Sequence, residues 1–430
     1  MKTKLRVVVG LSFGSLFALS GIARAEVTLV KPGAGWEVYT SGRVGGFVEV
    51  LDGDGPPETP AGVTLANEGI PVNANPSANG TPNAGHLFAS RVRSGFLGNI
   101  LTLGVRNHLT ESTTVTGQIS IWGTAETDSE RTFHADLPDE REGFLKIEGP
   151  GGSLLVGRAL SLFSRGATEI DFLYGHGYGV GAPGGFADLG PSGGHIGYGV
   201  LANVFAAGVA YATPSFQGLQ LTVGYYDPGN LVGFYYGRTK LGRPETEATY
   251  DAKLGDIGKV HVFANGAYQK LYATQESDSV SVYGAGAGAR LELGAFHVGV
   301  AAHTGKGLGV TYFLNQSDSI ANQQTHEMRT FDGGYLQTQT VVGKFDFNAG
   351  IGITRAHQLT ADIDPKNADP TTGLPKYSYL KSQMGISGVI VYHFSTYLHG
   401  ALDYFRSDVK WWLGQEQVIN SFNVGMTVTW

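Results

Sequence analysis

Several groups of residues in this chain have the spacing of a chemical motif, and each can be judged by the context its chemistry needs. Gly179, Gly181 and Gly184 fit a dinucleotide fingerprint, which works only where a buried strand hands the phosphate to the N-terminus of a following helix. Gly177, Tyr178 and Gly179 fit an ion-filter tripeptide, which needs a pore helix and apolar spans around it. Gly190, Ser192 and Gly194 have the spacing of a nucleophile elbow, a strained strand-to-helix turn. The glycine-rich stretch offers none of these contexts and reads as a loop. The twelve histidines are scattered, with no pair at helix-face zinc spacing. His261, His297, His303 and His399 fall on the polar phase of strand-like segments. Cysteine is absent, so disulfides and thiolate metal or redox sites are excluded.

The elements that hold these residues alternate apolar and polar side chains, and a strand sends neighbours to opposite faces. At the C-terminus Phe422, Val424, Met426, Val428 and Trp430 share one face, and Ser421, Asn423, Gly425, Thr427 and Thr429 share the other. The same reading predicts about sixteen strands, near 36–50, 86–107, 113–123, 141–149, 152–159, 196–213, 216–227, 245–255, 258–271, 280–293, 295–304, 333–345, 346–356, 378–394, 396–409 and 418–430. The second breaks phase at Gly98 and Asn99, as a bulge or turn would. Short connections (Gly149–Gly152, Pro214–Ser215, Asp256–Ile257, Ser395–Thr396) take turns with long ones (51–85, 124–140, 160–195, 305–332, 357–377). A soluble sandwich gives no reason for that alternation, whereas a membrane barrel has short turns on one rim and long loops on the other.

The N-terminus agrees. Lys2, Lys4 and Arg6 precede an apolar stretch from Val7 to Ser20, and Ala23 and Ala25 are small residues at the positions a signal peptidase reads. Residues 1–25 are therefore expected to be a signal peptide, leaving a chain of 26–430. The leader carries basic residues and no acidic ones, so its removal makes the chain more acidic than its formal −7. No basic stripe is left to engage nucleic acid. After residue 25 there is no apolar run of ~18 residues that could form a helical span. The fold class expected is all-β: one transmembrane antiparallel barrel of about sixteen strands.

Three stretches carry a family resemblance. Tyr211 to Leu221, with Pro214, Phe216 and Gly218, resembles the Tyr-x-Ser-Pro-x-Phe-x-Gly-Phe hairpin of the Gram-negative general porins, the sixteen-stranded trimeric family. Thr213 replaces the usual Ser and Leu219 the usual aromatic. Ser153 to Arg158 is similar to that family's strand ending in Gly-Arg before the third loop. Ser90 to Phe96 resembles its early Ser-Arg strand more loosely. The third loop lacks the Pro-Glu-Phe-Gly-Gly-Asp sequence of enterobacterial members, and the chain ends in Trp430 where Phe is usual.

The resemblance implies an outer-membrane homotrimer forming a water-filled channel for passive diffusion of ions and small hydrophilic solutes, with no cofactor. Phe88, Val92 and Phe96 phase towards lipid, so Arg91 and Arg93 are expected in the lumen. The resemblance makes these, with Arg43 and Arg158, a basic wall. It sets them opposite Glu169, Asp171 and Asp188 on an inward-folded third loop at 160–195. Such facing charges make a transverse field across the pore. Asn423, Gly425, Val428 and Trp430 resemble the last-strand signal read by the barrel assembly machinery. A substrate-selective channel of eighteen strands and a closed barrel acting as enzyme or adhesin are the alternatives. The aromatic cluster Phe234, Tyr235 and Tyr236 makes no visible substrate track for the first.

Overall fold

A computed structural model describes residues 26–55, 57–59, 65, 86–93, 98–123, 139–172, 195–231, 234–274, 277–314, 320–363 and 378–430. Residues 1–25, Asp188 and the glycine-rich stretch 175–194 lie outside them. The strand segments among the described residues are β1 (Val27–Gly33), β2 (Trp36–Gly53), β3 (Leu87–Arg93), β4 (Asn99–Thr110), β5 (Thr113–Gly123), β6 (Asp139–Gly149), β7 (Gly152–Leu160), β8 (Phe205–Ala212) and β9 (Leu219–Tyr226). They continue as β10 (Arg243–Lys253), β11 (Lys259–Tyr272), β12 (Ser279–Leu293), β13 (Phe296–Lys306), β14 (Thr330–Val342), β15 (Phe345–Ala356), β16 (Leu380–His393), β17 (Leu398–Trp411) and β18 (Glu416–Thr429).

From β4 to β18 each strand pairs antiparallel with the next in sequence, and β18 closes the circle on β2, from Ile419 opposite Gly53 to Thr429 opposite Arg43. The eighteen segments make a closed barrel of sixteen staves with one extra strand. β3 and β4 share a stave, because both lie along β2, β4 beside Trp36–Arg43 and β3 beside Phe47–Gly53. The break expected at Gly98 and Asn99 falls between them. The extra strand is β1, which folds back on the start of β2 through Ala34 and Gly35. It is exposed along its whole length, so it shows no alternation from which to predict it.

The expected strands are all present within a few residues, with one correction. The segment expected at 196–213 begins its strand only at Phe205, and residues 196–204 belong to the preceding connection. Short turns at 111–112, 150–151, 213–218, 254–258, 294–295, 343–344 and 394–397 occupy one rim. In the 213–218 turn Gly218 sits at φ +89° with a backbone oxygen where a Cβ would be, so glycine alone fits there.

Side-chain phase is that of a barrel in lipid. On β2 Tyr39, Ser41, Arg43, Phe47, Glu49 and Leu51 are buried inward while Val44 and Val48 are exposed. On β18 Ile419, Ser421, Asn423 and Thr427 are buried, and Phe422, Val424, Met426 and Val428 are exposed. Outward aromatics gather at the short-turn rim, among them Trp36, Phe216, Phe296, Phe345, Phe394 and Tyr397. Trp36 and Tyr397, each with an apolar ring and a polar N–H or O–H, suit that boundary. Inside the other mouth a cluster including Phe163, Leu201, Leu231, Leu308, Phe313, Ile320, Met328 and Trp411 packs long connections against the wall.

Candidate pore constriction

The described parts of connection 161–204 between β7 and β8, residues 161–172 and 195–204, are drawn into the barrel by side chains that the wall projects inward. Ser161 N–H donates to Val204 O at 2.8 Å and closes its neck. A short helix, α1 (Arg165–Glu169), follows. β10 sends Arg243, Glu245 and Glu247 to the inside at every second residue, all buried. Glu245 accepts the Phe163 N–H at 2.7 Å and the Arg243 Nε–H at 2.6 Å. Glu247 accepts the Gly166 N–H at 3.2 Å and the Arg165 guanidinium. Carboxylates at the first turn satisfy donors that a helix leaves unmade. Each such charge-assisted bond contributes about 1.5–3 kcal/mol.

The far wall completes the attachment. Tyr335 O–H donates to Ala167 O at 2.7 Å, while Gln337 donates to Ile170 O at 2.6 Å and accepts from Phe172 N–H at 2.9 Å. On the return, Gly199 N–H donates to Thr354 Oγ1 at 2.9 Å, Gln383 donates to Gly197 O at 2.9 Å, and the Tyr198 and Ser407 hydroxyls bond at 2.8 Å. The connection is thus bonded across the half of the wall from β10 to β17, and the opposite half is β2–β7.

The residues expected to form the constriction fare differently. Arg43 is inward but buried, with Nη2 3.5 Å from Thr427 Oγ1. Arg91 and Arg93 stand opposite the inward positions Glu49 and Phe47 in the β2–β3 register, though their side chains lie outside the described residues. Arg158 corrects the expectation. It is exposed, in phase with the exposed Leu154 and Val156, while Leu155 and Ala159, on the opposite parity, are buried. It therefore faces away from the lumen, at the long-loop end of β7, where an outward arginine costs only about 0–1 kcal/mol. Asp171 is also corrected: its carboxylate is fully buried against His195 and does not face water.

Glu169 remains. Its side chain is 15% exposed and lies 3.8 Å from Arg165 Nε. Desolvation pushes its carboxyl above the ordinary range, against the pull of Arg165. The sequence reading missed other charges on the inner face, partly exposed except for the buried Lys146. Arg106 lies over the Tyr39 ring and pairs with Glu26 and Glu37. Arg141 lies over Trp122, Lys146 pairs with Glu148 at 2.7 Å, and Arg290 pairs with Glu292 at 2.8 Å. Strand parity was the signal that could have found Arg106, Lys146 and Arg290. The histidines at 261, 297, 303 and 399 do take the inward phase.

At the last strand, Trp430 exchanges both backbone hydrogen bonds with Gly42, and its indole occupies the space a Cβ on Gly42 would fill. Gly425 leaves the same kind of room for the buried Phe47. Asn423 is buried and donates to Ser421 Oγ at 3.0 Å, and Val428 faces outward.

This architecture has relatives. The outer-membrane channel DcaP of Acinetobacter baumannii superposes with a TM-score of 0.66 at 13% identity, over 94% of this chain and 100% of that one. An anion-selective porin from Comamonas acidovorans gives 0.59 at 14%, over 92% and 100%. The trimer form of Vibrio cholerae OmpT gives 0.51 at 11%, over 92% and 100%. At such identities the likeness is one of fold. No curated protein sequence matches the chain. A family model described as Gram-negative porin matches residues 13–379, and the chain accordingly belongs to that family, as an outer-membrane channel for passive diffusion of solutes.

Proposed function

We propose that the channel is water-filled, passes ions and small hydrophilic solutes down their gradients without a catalytic step or cofactor, and is narrowest where connection 161–204 faces the β2–β7 wall. The observation that carries this reading is the bonding of that connection to inward side chains of β10 and β14–β17. Glu169, Arg290 and Glu292 are the charges on its side. Arg106, Arg141, Lys146 and Glu148 stand on the other, with Arg43, Arg91 and Arg93 along the same wall. Export with cleavage after Ala25, a homotrimer, and insertion by the barrel assembly machinery through the last strand complete the reading. Sixteen staves argue against the eighteen-stranded alternative. Tyr235 and Tyr236 argue against it too, since Tyr235 stacks on His326 and Tyr236 bonds Asp278 in packing between loops.

Planar-bilayer recording of purified protein tests the proposal. Steady conductance steps that scale with salt concentration are expected. A barrel that inserts without steps would overturn the open-channel reading.

A further inference from the structure

Asp346 opens β15, His393 ends β16 and His399 lies at the start of β17, so the three meet at the short-turn rim. His393 and His399 are direct cross-strand partners. Their rings are nearly perpendicular, at 84° with centroids 4.8 Å apart, and the two Nδ1 atoms are 2.7 Å from each other. Nε2 of His393 lies 2.8 Å from Asp346 Oδ2. An ionised carboxylate only accepts, so that nitrogen carries the hydrogen, and neutral His393 has its lone pair on Nδ1, aimed at Nδ1 of His399. With a hydrogen on Nδ1 of His399 the pair makes an ordinary hydrogen bond, and with that hydrogen on Nε2 two lone pairs face each other as a metal ion would need them.

We propose that His393 and His399 chelate a divalent transition-metal ion of the zinc, nickel or copper class, with Asp346 as the positioning residue. Imidazole suits these ions. A carboxylate on the remote nitrogen of a ligating histidine fixes its tautomer and raises its basicity. Metal–nitrogen bonds of about 2.0–2.1 Å ask the two nitrogens to open by only a few tenths of an ångström. Both rings are partly exposed, His393 at 32%, which leaves the remaining coordination positions to water. The Arg43 guanidinium faces His399 from β2, and Thr427 stands beside it on β18. Asp346 supplies the opposing charge. No described group of three or more His, Asp or Glu side chains has metal-cage spacing, so the site is a two-ligand one, open to the channel water.

The test uses untagged full-length protein, stripped with chelator and titrated with Cu2+ under electron paramagnetic resonance and with Zn2+ by calorimetry. One equivalent per chain is expected, with hyperfine coupling to two imidazole nitrogens. His399→Gln should abolish that site. Asp346→Asn should keep the stoichiometry but weaken affinity by about 10–100-fold. Single-channel conductance checks folding of each variant. Should His393→Gln fail to assemble, His399→Gln, which leaves the Asp346 bond intact, carries the test. No saturable uptake by the wild type, or one unchanged in His399→Gln, would mean the nitrogens share only a proton and would overturn the proposal.

Discussion

Asp171 Oδ2 accepts from both the backbone N–H of His195, at 2.9 Å, and its ring Nδ1–H, at 3.1 Å, with both side chains fully buried. One carboxylate oxygen thereby ties the descending limb of the third connection to its returning limb. The His195 ring also stacks on Tyr335, at 4.6 Å between centroids, so the tie is anchored to β14. Asp171→Ala should leave two buried donors without an acceptor, a cost of about 1–3 kcal/mol each. That cost falls on the connection, because the strand ladders are untouched. Heat stability of the barrel should hold while open-channel noise and hydrogen exchange at 195–200 rise. Unchanged noise and exchange would show that the tie is dispensable.

Among the described acids of the third connection Glu169 keeps contact with water, so Glu169→Gln should move selectivity towards anions. Reversal potential under a salt gradient measures it. The shift should be largest at low salt, because the Debye length falls from ~10 Å at 0.1 M to ~3 Å at 1 M. Desolvation holds this carboxyl above the ordinary glutamate range, so its charge disappears at a higher pH than an exposed glutamate's. The wild-type reversal potential should therefore begin to move towards anion selectivity, as pH is lowered, before that range is reached. The variant should show no change in the same window.

The barrel was legible because its side-chain period is two and lipid demands a strict outward face. The hairpins from β11 to β18 fall where alternation and turn residues put them. β1 was not legible, since both its faces meet solvent. Arg158 was misplaced for a related reason: Leu154, Leu155 and Val156 are all apolar, so the run has no phase, and the resemblance alone pointed the arginine inward. Register settles it, because Arg158 sits between Gly143 and Ala207, positions in phase with the exposed Leu145 and Val209. The partners of the third connection were hidden for another reason. Glu247 and Arg165, or Gln337 and Ile170, are far apart in sequence and meet only once the barrel closes. His393 and His399 stand closer, yet only an exact turn register makes them face each other.

Arg158 provides a control for the selectivity measurement. Because it faces outward, Arg158→Ala should leave the reversal potential at its wild-type value even at low salt. A shift towards cations comparable to that of a lumen arginine would show that the side chain reaches the pore.

Arg329 and Asp362 fasten the connection after β13 to the one after β15. Arg329 donates to both carboxylate oxygens, at 2.6 and 3.1 Å, Asn322 adds a bond at 3.0 Å, and the Tyr379 ring lies 4.5 Å from the guanidinium. Burial desolvates the Asp362 carboxyl and would raise it, but these bonds hold it below the ordinary aspartate range. A folded-state value below the unfolded one, about 3.9, means the fastening is complete above that pH. It is lost as pH falls through the lower folded value. Hydrogen exchange should therefore show 320–329 and 357–363 protected at pH 5 and released only once the pH has fallen below the ordinary aspartate range, with the strands protected throughout. Asp362→Asn should release the same segments at pH 7.

Trp430 distinguishes packing from recognition. Its backbone pair with Gly42 closes the end of the β18–β2 seam, and any residue but proline at 430 can make those bonds. The indole adds contact over Gly42 on the outer face, and a carboxylate in its place near the interface costs only about 0–1 kcal/mol. On packing alone, then, Trp430→Phe and Trp430→Asp should both fold. If the terminal aromatic is what the assembly machinery reads, the variants should part company in cells but not in detergent. Trp430→Phe should accumulate in outer membranes like the wild type. Trp430→Asp should refold from urea into detergent micelles with the wild-type heat-modifiable mobility, yet be depleted about tenfold or more from membranes, the effect of roughly 1.4 kcal/mol. Equal membrane levels of all three proteins would remove the signal role and leave Trp430 as a packing residue.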